Sequence, residues 1–486
     1  MTNKPSRQNI SRRRFLKQSA WLAAGTTFAI GGTKSTGRIL GANEKVRIAV
    51  AGIHGRGKSH VGSYNKNPDA QIVYLVDPDT RTYKSQSDAV EDATGVAPKC
   101  VQDIRRALDD KNVDAVSIAT PNHWHALMTV WACNAGKDVY VEKPCSHNLH
   151  EGRVALEAAR KNNRIVQHGT QNRSSARLAN VMQVIKSGQL GKLLVSRGLC
   201  YKQRESIGFK ERQAPPPEVD FNLWLGPAAE QAYHGNLVHY NWHWFWETGN
   251  GDIGNQGVHQ MDIARWAIPN ATLPTSVLSL GGRFGYEDQG QTANTQISIM
   301  DFGDTKLIFE VRGRPTDNFH GQGVGNIFHL EAGTIYLDKY FPKDSDKEAP
   351  LPRFDTLQGA HNGDHFGNFV SAVRSRKREE LHADIMEGHY SSALCHLANI
   401  SYRLGKPVAF SEVSGQLGTD GDLRETFSRM EHHLKDDVHL DLANTKVQLG
   451  RKLTLDPTAE KFAGDADANA MLTRNYRKGF DINATA

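Results

Sequence analysis

Apolar and polar positions along the first third of the chain follow two different periods. Short β-rich runs fall at 46–50, 72–76, 115–119, 138–141 and 164–167, and helical spacing fills 58–66, 104–109, the stretch after Asn122, and 149–162. Buried runs of four to six residues alternating with helices predict parallel strands joined by crossover helices, hence a doubly wound α/β sheet. The alternation stops near His168. Beyond it come a proline-rich loop at 214–217, a dense aromatic stretch at 240–246, β-like runs at 295–301 and 306–311, and a helical segment at 386–404. This pattern predicts a second α+β domain, followed by an irregular polar tail with a late helix around 468–476.

Length supports this division, because 486 residues exceed what one core usually organises. The expected organisation is a leader over 1–42, a dinucleotide-type domain over 43–168, a substrate domain over 169–405, and an extension over 406–486 packed on both. With 38% hydrophobic and 23% charged residues the composition is that of a globular protein, and outside the N-terminus no apolar run is long enough to span a bilayer.

The net charge of +6 is unevenly placed. Eight basic residues and no acidic ones precede Glu44, which leaves 51 basic against 53 acidic residues in the body. A near-neutral body gives no electrostatic reason to expect nucleic acid as a partner. The basic cluster instead opens Ser11-Arg12-Arg13-Arg14-Phe15-Leu16-Lys17, ahead of an apolar stretch from Trp21 to Ile30. This resembles a twin-arginine export signal, with cleavage expected near 41–43. It implies passage through the twin-arginine machinery and a periplasmic or otherwise exported location. That route carries folded proteins, which suits a protein that loads a nucleotide before leaving the cytoplasm.

Five cysteines, odd in number and without a C-x-x-C pair, indicate neither a disulfide framework nor a zinc site, although one disulfide stays open outside the cytoplasm. His361 and His365 have metal-like spacing, but a glycine intervenes and no third ligand is in view. No metal is expected.

Candidate chemistry begins where the first strand runs into Gly52-Ile53-His54-Gly55-Arg56-Gly57. A dinucleotide fold needs a tight turn there and close backbone approach to a pyrophosphate at a helix N-terminus. Gly52 and Gly57 match the outer fingerprint positions, and His54 stands where the middle glycine belongs. Asp77 ends the next strand, where a carboxylate can bind ribose hydroxyls and repel a 2′-phosphate, favouring NAD over NADP, with Arg81 nearby as the counter-indication. A glycine-rich turn with an Asp cap is the plain alternative. Thr120-Pro121-Asn122-His123-Trp124-His125 and Glu142-Lys143-Pro144 follow two further strands and predict loops facing one crevice. Lysine in such a crevice can donate to a substrate oxygen, though a strand-end lysine is often only solvated. In the second domain, Asn255 and His259 fall at i, i+4 with Asp262 one turn on. His259 has the pKa of a general base, and a satisfied core histidine is the equal alternative. The aromatics of 240–246, Trp244 among them, read either as core or as stacking surface for a sugar ring.

These features together resemble the Gfo/Idh/MocA oxidoreductases, named for glucose-fructose oxidoreductase and inositol dehydrogenase. The resemblance rests on the glycine turn, Asp77, Thr120-Pro121 with His125, Glu142-Lys143-Pro144, Gln171 to Arg173, and Gly257-Val258-His259, and it spans about residues 45–405. It implies a Rossmann domain followed by a domain with an open, mainly antiparallel sheet, and a sheet face that commonly pairs, so a homo-oligomer. It places Gly52, His54, Gly55, Arg56, Gly57 and Asp77 at the cofactor. Thr120, Pro121, His125, Glu142 and Lys143 join them. Lys143, His259 and Asn255 become the catalytic group, and Gln171, Arg173, Trp244 and Asp262 face substrate.

Many members carry aspartate where this chain has Asn255, and an amide cannot raise the basicity of His259. Either His259 works with less support, or Asp252 or Asp262 supplies the charge, or classical dehydrogenation is not the net reaction. The implied reaction is hydride transfer between NAD and a secondary hydroxyl of a sugar or cyclitol. Two alternatives stand beside it: redox-neutral glycoside cleavage with NAD regenerated in each turnover, and a non-catalytic sugar-binding homologue.

Overall fold

The computed structural model describes residues 44–354, 357 and 363–484. The twin-arginine stretch and His361 lie outside the described residues. The N-terminal domain runs β1 (Val46–Ala51), α1 (Gly57–Lys66), β2 (Ala70–Val76), α2 (Tyr83–Thr94), β3 (Lys99–Val101), α3 (Ile104–Leu108), β4 (Ala115–Ile118), α4 (Asn122–Asn134), β5 (Asp138–Val141), α5 (Leu149–Lys161) and β6 (Val166–His168). Its six strands lie in the order β3-β2-β1-β4-β5-β6, all parallel. β1, β4 and β5 are almost wholly buried, which is why they read as apolar runs without alternation.

Sequence patterning misses α2. That helix buries only Gln86 and Val90 and so shows no apolar stripe; its one signal is Gly95 at φ +73°, which ends it in the left-handed region.

The second domain contains α6 (Ala176–Lys186), β7 (Leu193–Tyr201), α7 (Phe221–Leu225), α8 (Gly251–Asn255), α9 (Gly257–Ala267), β8 (Ser276–Gly282), β9 (Thr295–Asp301), β10 (Lys306–Arg312), β11 (Val324–Leu330), β12 (Gly333–Tyr336) and β13 (Lys339–Pro342). There follow α10 (His365–Ser375), α11 (Ile385–Arg403), β14 (Lys406–Ala409), α12 (Phe410–Gln416), α13 (Gly421–His432), β15 (Lys446–Leu449), β16 (Leu453–Asp456), β17 (Lys461–Phe462) and α14 (Ala466–Ala470). The sheet is mostly antiparallel, with β7 and β10 the parallel pair. Met261 and Ile263 of α9 and Leu394 and Leu397 of α11 bury one face against Leu307 and Phe309 of β10. On the other face Leu280 and Ile297 meet Phe410, Val413 and Phe427 of α12 and α13, so the chain's own helices cover the sheet across β8 and β9.

The tail is more ordered than its polarity suggests, because β14, β15 and β16 extend the second sheet. The expected late helix shrinks to the five residues of α14. Chain order also misplaces α10. Its Phe366, Phe369 and Val370 pack with Val46, Ile48 and Val61 in the core of the first domain, although the helix follows the second sheet in sequence.

Candidate active site

β1 delivers the chain into the glycine turn. Gly52 has φ +80°, and a Cβ there would stand 2.6 Å from the Ala119 carbonyl oxygen. A Cβ on Gly57 would stand 1.9 Å from the Gly52 carbonyl oxygen, so the first turn of α1 can press against the strand end only as glycine. Gly55 is the open member, with nothing within 4 Å of its missing Cβ. His54 does not crowd the turn, since its ring lies flat on that of His239, centroids 3.9 Å apart and planes 8° off parallel. The Asp77 carboxylate accepts from the N–H of Ile53 at 2.9 Å and of Asp79 at 3.0 Å, and burial pushes its pKa up to about 6. Each of its oxygens keeps a free lone pair for a ribose hydroxyl.

The ends of β4 and β5 form the floor. Glu142 accepts from Arg56 Nε at 2.8 Å, Gln171 Nε2 at 3.0 Å and His60 Nε2 at 3.2 Å. Burial pushes its pKa up, but the His60 hydrogen bond and the charge of Arg56 outweigh that and hold the carboxyl well below the usual range. The negative charge therefore stays beside Lys143, whose own pKa burial lowers. His125 ties the two loops together, one ring nitrogen 2.5 Å from the Pro144 carbonyl oxygen and the other 2.8 Å from that of Thr120. The Thr120 hydroxyl is buried without a partner among the described residues.

From the second domain, α8 and α9 bring Asn255 and His259 to the same crevice. Lys143 Nζ donates to the Asn255 carbonyl oxygen at 2.8 Å and lies 3.4 Å from its side-chain oxygen. His259 Nδ1 is buried and unpartnered among the described residues. Burial, reinforced by the Lys143 charge, pulls its pKa down to about 3, so the imidazole is neutral and able to accept a proton. The glycine turn, Asp77, Lys143, Asn255 and His259 all line one cavity of about 460 Å³ between the domains.

Several sequence expectations end differently. Asp252 is bound by Arg204 at 2.7 Å, and Asp262 by Arg173 at 2.9 Å and by the Ser391 hydroxyl at 2.7 Å, so neither hydrogen-bonds His259. Arg173 and Asp262 form a buried ion pair, joined by Glu387, and neither is among the residues that line the crevice. Trp244 is likewise buried, with the Arg204 guanidinium 5.3 Å from its ring centroid. Tyr240, Trp242 and His243 from the same stretch are the residues that reach the crevice. Gln171 lines it as expected, whereas Gly57 lies beneath the turn.

The roof carries residues that patterning did not single out. His239 Nε2 bonds Asp79 at 2.7 Å, and Thr80 donates its N–H to the Glu218 carbonyl at 3.1 Å, so the segment 202–250 is fastened to the first domain just beyond Asp77. The proline-rich loop at 214–217 and the aromatics of 240–246 mark this segment in the sequence, but nothing local marks His239 or the contacts with Asp79 and Thr80.

Comparison with known proteins agrees with this architecture. The oxidoreductase-family model described as the Gfo/Idh/MocA NAD-binding Rossmann fold matches residues 46–170, and that of the family's C-terminal α/β domain matches 175–299, together just over half of the chain. The scyllo-inositol 2-dehydrogenase (NAD(+)) of Bacillus subtilis is 30% identical over 175 residues, 36% of this chain and 47% of its own, so the match spans about half the length of that relative. Glycosyl hydrolase family 109 protein 2 of Shewanella sp. (strain ANA-3) is 28% identical over 418 residues, 77% of this chain and 87% of its own. The WlbA dehydrogenase of Bordetella pertussis, solved in complex with NADH and UDP-GlcNAcA, superposes with a TM-score of 0.55 at 19% identity over 75% of this chain and 97% of its own, a likeness of fold. With both family domains matched in order and the Rossmann sheet and mixed second sheet in place, the chain belongs to the Gfo/Idh/MocA family of oxidoreductases, with an NAD-binding Rossmann domain.

Proposed function

We propose that the protein is an NAD-dependent oxidoreductase that moves hydride between a secondary hydroxyl of a sugar, sugar derivative or cyclitol and a tightly held nicotinamide. One observation carries the reading: a lysine ammonium and a neutral histidine converge on the crevice that begins at the glycine turn. The residues fit the cofactor. Gly55 leaves its side of the turn open, Asp77 keeps acceptor capacity, and the buried Thr120 hydroxyl lacks a partner among the described residues. Gly52, His54, Gly55, Arg56 and Asp77 would hold the adenosine and pyrophosphate end, and Thr120, Pro121, His125, Glu142 and Lys143 the nicotinamide end. When bound, the nicotinamide accepts or returns the hydride. Lys143 then donates a hydrogen bond to the reacting oxygen, with Asn255 keeping its ammonium aimed. His259 takes the hydroxyl proton on its neutral ring, or returns it in the reverse direction. Tyr240 and Trp242 offer aromatic surface to a sugar ring, and Gln171 extends the polar wall.

A second reading has a specific observation behind it, because the glycosyl hydrolase family 109 relative aligns with most of the chain. In that reading the same residues support glycoside cleavage with no net redox change. The N-terminal arginine motif supports export of the loaded protein by the twin-arginine pathway. The test is to denature purified protein without added cofactor and identify the released nucleotide, then assay sugars and glycosides at 340 nm alongside free-sugar release. Near-stoichiometric NAD(H) with growth at 340 nm supports the dehydrogenase, and free sugar without net NADH supports the second reading. Protein that neither carries nor binds NAD(H) or NADP(H) would overturn both and leave a sugar-binding homologue.

A further inference from the structure

A second cavity, of about 170 Å³, lies behind the active-site helices, where the tail meets both domains. Its wall includes His147, Trp246, Asn250, Arg403 and Arg474. Arg474 Nη1 donates to the Glu247 carbonyl oxygen at 2.9 Å and faces His147 Nδ1 at 3.1 Å. A guanidinium can only donate, so Nδ1 is the acceptor and the His147 proton sits on Nε2. That Nε2–H is buried without a partner among the described residues, and so are Nε and Nη2 of Arg474. The buried unpartnered side-chain atoms on this wall are therefore all donors among the described residues.

The charge points the same way. Arg403 lies over Trp246, 4.8 Å from a ring centroid, and places a second guanidinium on the wall. Of the nearby carboxylates, Glu247 shares the wall, where its charge acts on Arg403, and accepts from the Ala229 N–H at 3.3 Å, while Glu151 accepts from the His147 N–H at 2.8 Å and Asn148 Nδ2 at 3.1 Å. Glu151 comes no closer to Arg474 Nε than 3.8 Å.

We propose that this cavity is a second ligand site, distinct from the crevice, that binds one small oxyanion between Arg474, Arg403 and His147. Sulfate, phosphate and the carboxylate of a sugar acid share the required chemistry, planar or tetrahedral oxygens that accept from a guanidinium. The site adjoins the crevice through Asn250, which donates to the His147 carbonyl at 3.0 Å and accepts from Asn122 at 2.9 Å.

The experiment is calorimetric titration of the whole chain saturated with NADH, at constant ionic strength, with sulfate, phosphate and glucuronate in separate arms. Saturated cofactor keeps the pyrophosphate site from answering. One saturable site is expected, weakened at least about tenfold in Arg474→Gln and in Arg403→Gln, and unchanged in Arg378→Gln, an exposed arginine on neither cavity wall. Sulfate or phosphate binding alone assigns a free anion, and glucuronate binding alone assigns an acidic sugar. Should Arg474→Gln misfold, Arg403→Gln and the position of selenate in crystals of the unaltered protein decide, the expected peak lying within hydrogen-bond distance of Arg474 and His147. No saturable binding, or binding that both glutamine variants leave intact, would overturn the site, since a cavity holding only water gives that result.

Discussion

Lys143 Nζ and the Asn255 carbonyl oxygen stand 2.8 Å apart across the boundary between the two domains. The ammonium at the end of β5 is thus aimed by the last residue of α8, in the same crevice as His259. Lysine and arginine are not interchangeable in this setting, because a planar fork cannot occupy the place of a compact ammonium held by one carbonyl. Lys143→Met is expected to lower kcat by about 10²- to 10⁴-fold. Lys143→Arg should not restore it. NADH affinity, followed by fluorescence titration, should change much less than kcat, and an equal loss in both would mean that Lys143 serves mainly to bind cofactor.

The two outer glycines of the turn predict opposite behaviour from the inner one. Alanine at Gly57 would put a methyl 1.9 Å from a backbone oxygen, and alanine at Gly52 would combine a clash at 2.6 Å with φ +80°. Alanine at Gly55 meets no atom within 4 Å. Gly52→Ala and Gly57→Ala should therefore abolish measurable NADH binding or folding, whereas Gly55→Ala should fold with an unchanged melting temperature. Any loss of NADH affinity in Gly55→Ala would then report directly on cofactor packed against that position.

Asp262 shows how one residue type supports two readings until its partners are known. Helical spacing places it one turn beyond His259, close enough in sequence to be taken as a catalytic or substrate-facing carboxylate. Its partner Arg173 is 89 positions away, and nothing local reveals the pairing. Replacing Asp262 with Asn leaves Arg173 short of a buried counter-charge and should destabilise the fold by about 3 kcal/mol. KM should stay near its original value in the variant that remains folded, and a raised KM with an unchanged melting temperature would restore the substrate-facing role.

The same limit separates what was legible in the sequence from what was not. Strand runs buried on both faces announce the Rossmann sheet, and the glycine turn, Lys143 and His259 sit at positions fixed by local strand and helix ends. Contacts made by distant segments leave no such trace. The docking of α10 into the first core, the folding of His54 onto His239, and the split of the 240–246 aromatics between crevice and core all depend on how far segments meet. His54 stands where the middle glycine belongs, and the ring on which its own ring lies belongs to a residue 185 positions later.

Buried histidines set the acid limit of the fold. Burial pulls His123, His168, His243, His259 and His396 from the ordinary 6.5 down to about 3 each. The unfolded chain takes up these protons first, so their contribution is fully present above pH 6.5 and is lost as the pH falls from 6.5 towards 3. Glu310, Glu387 and Glu460, held at about 2 despite burial by their arginine or histidine partners, add a further loss below about pH 4.5. The melting temperature followed by circular dichroism should be level from pH 7 to 8 and fall progressively below pH 6.5. A plateau extending down to pH 5 would mean that these histidines are not buried as neutral rings.

Trp124 is held between the roof and the tail. Its indole N–H donates to the Leu223 carbonyl at 3.0 Å and the Trp224 carbonyl at 3.1 Å, and its ring meets Phe480 edge-on with centroids 5.6 Å apart. Arg477 holds the same roof segment through the carbonyls of Asn222 and Gly226, both at 3.2 Å. Because Leu223 and Trp224 line the crevice, the tail braces the wall that covers the cofactor side. Phe480→Ala removes a ring that is only 6% exposed and should cost about 3 kcal/mol. If the roof retains cofactor, the variant should also release NAD(H) faster on dilution, while Asn483→Ala, at an exposed position, should change neither property. Loss of stability without faster release would show that the tail fastens the fold but leaves cofactor retention to the crevice itself.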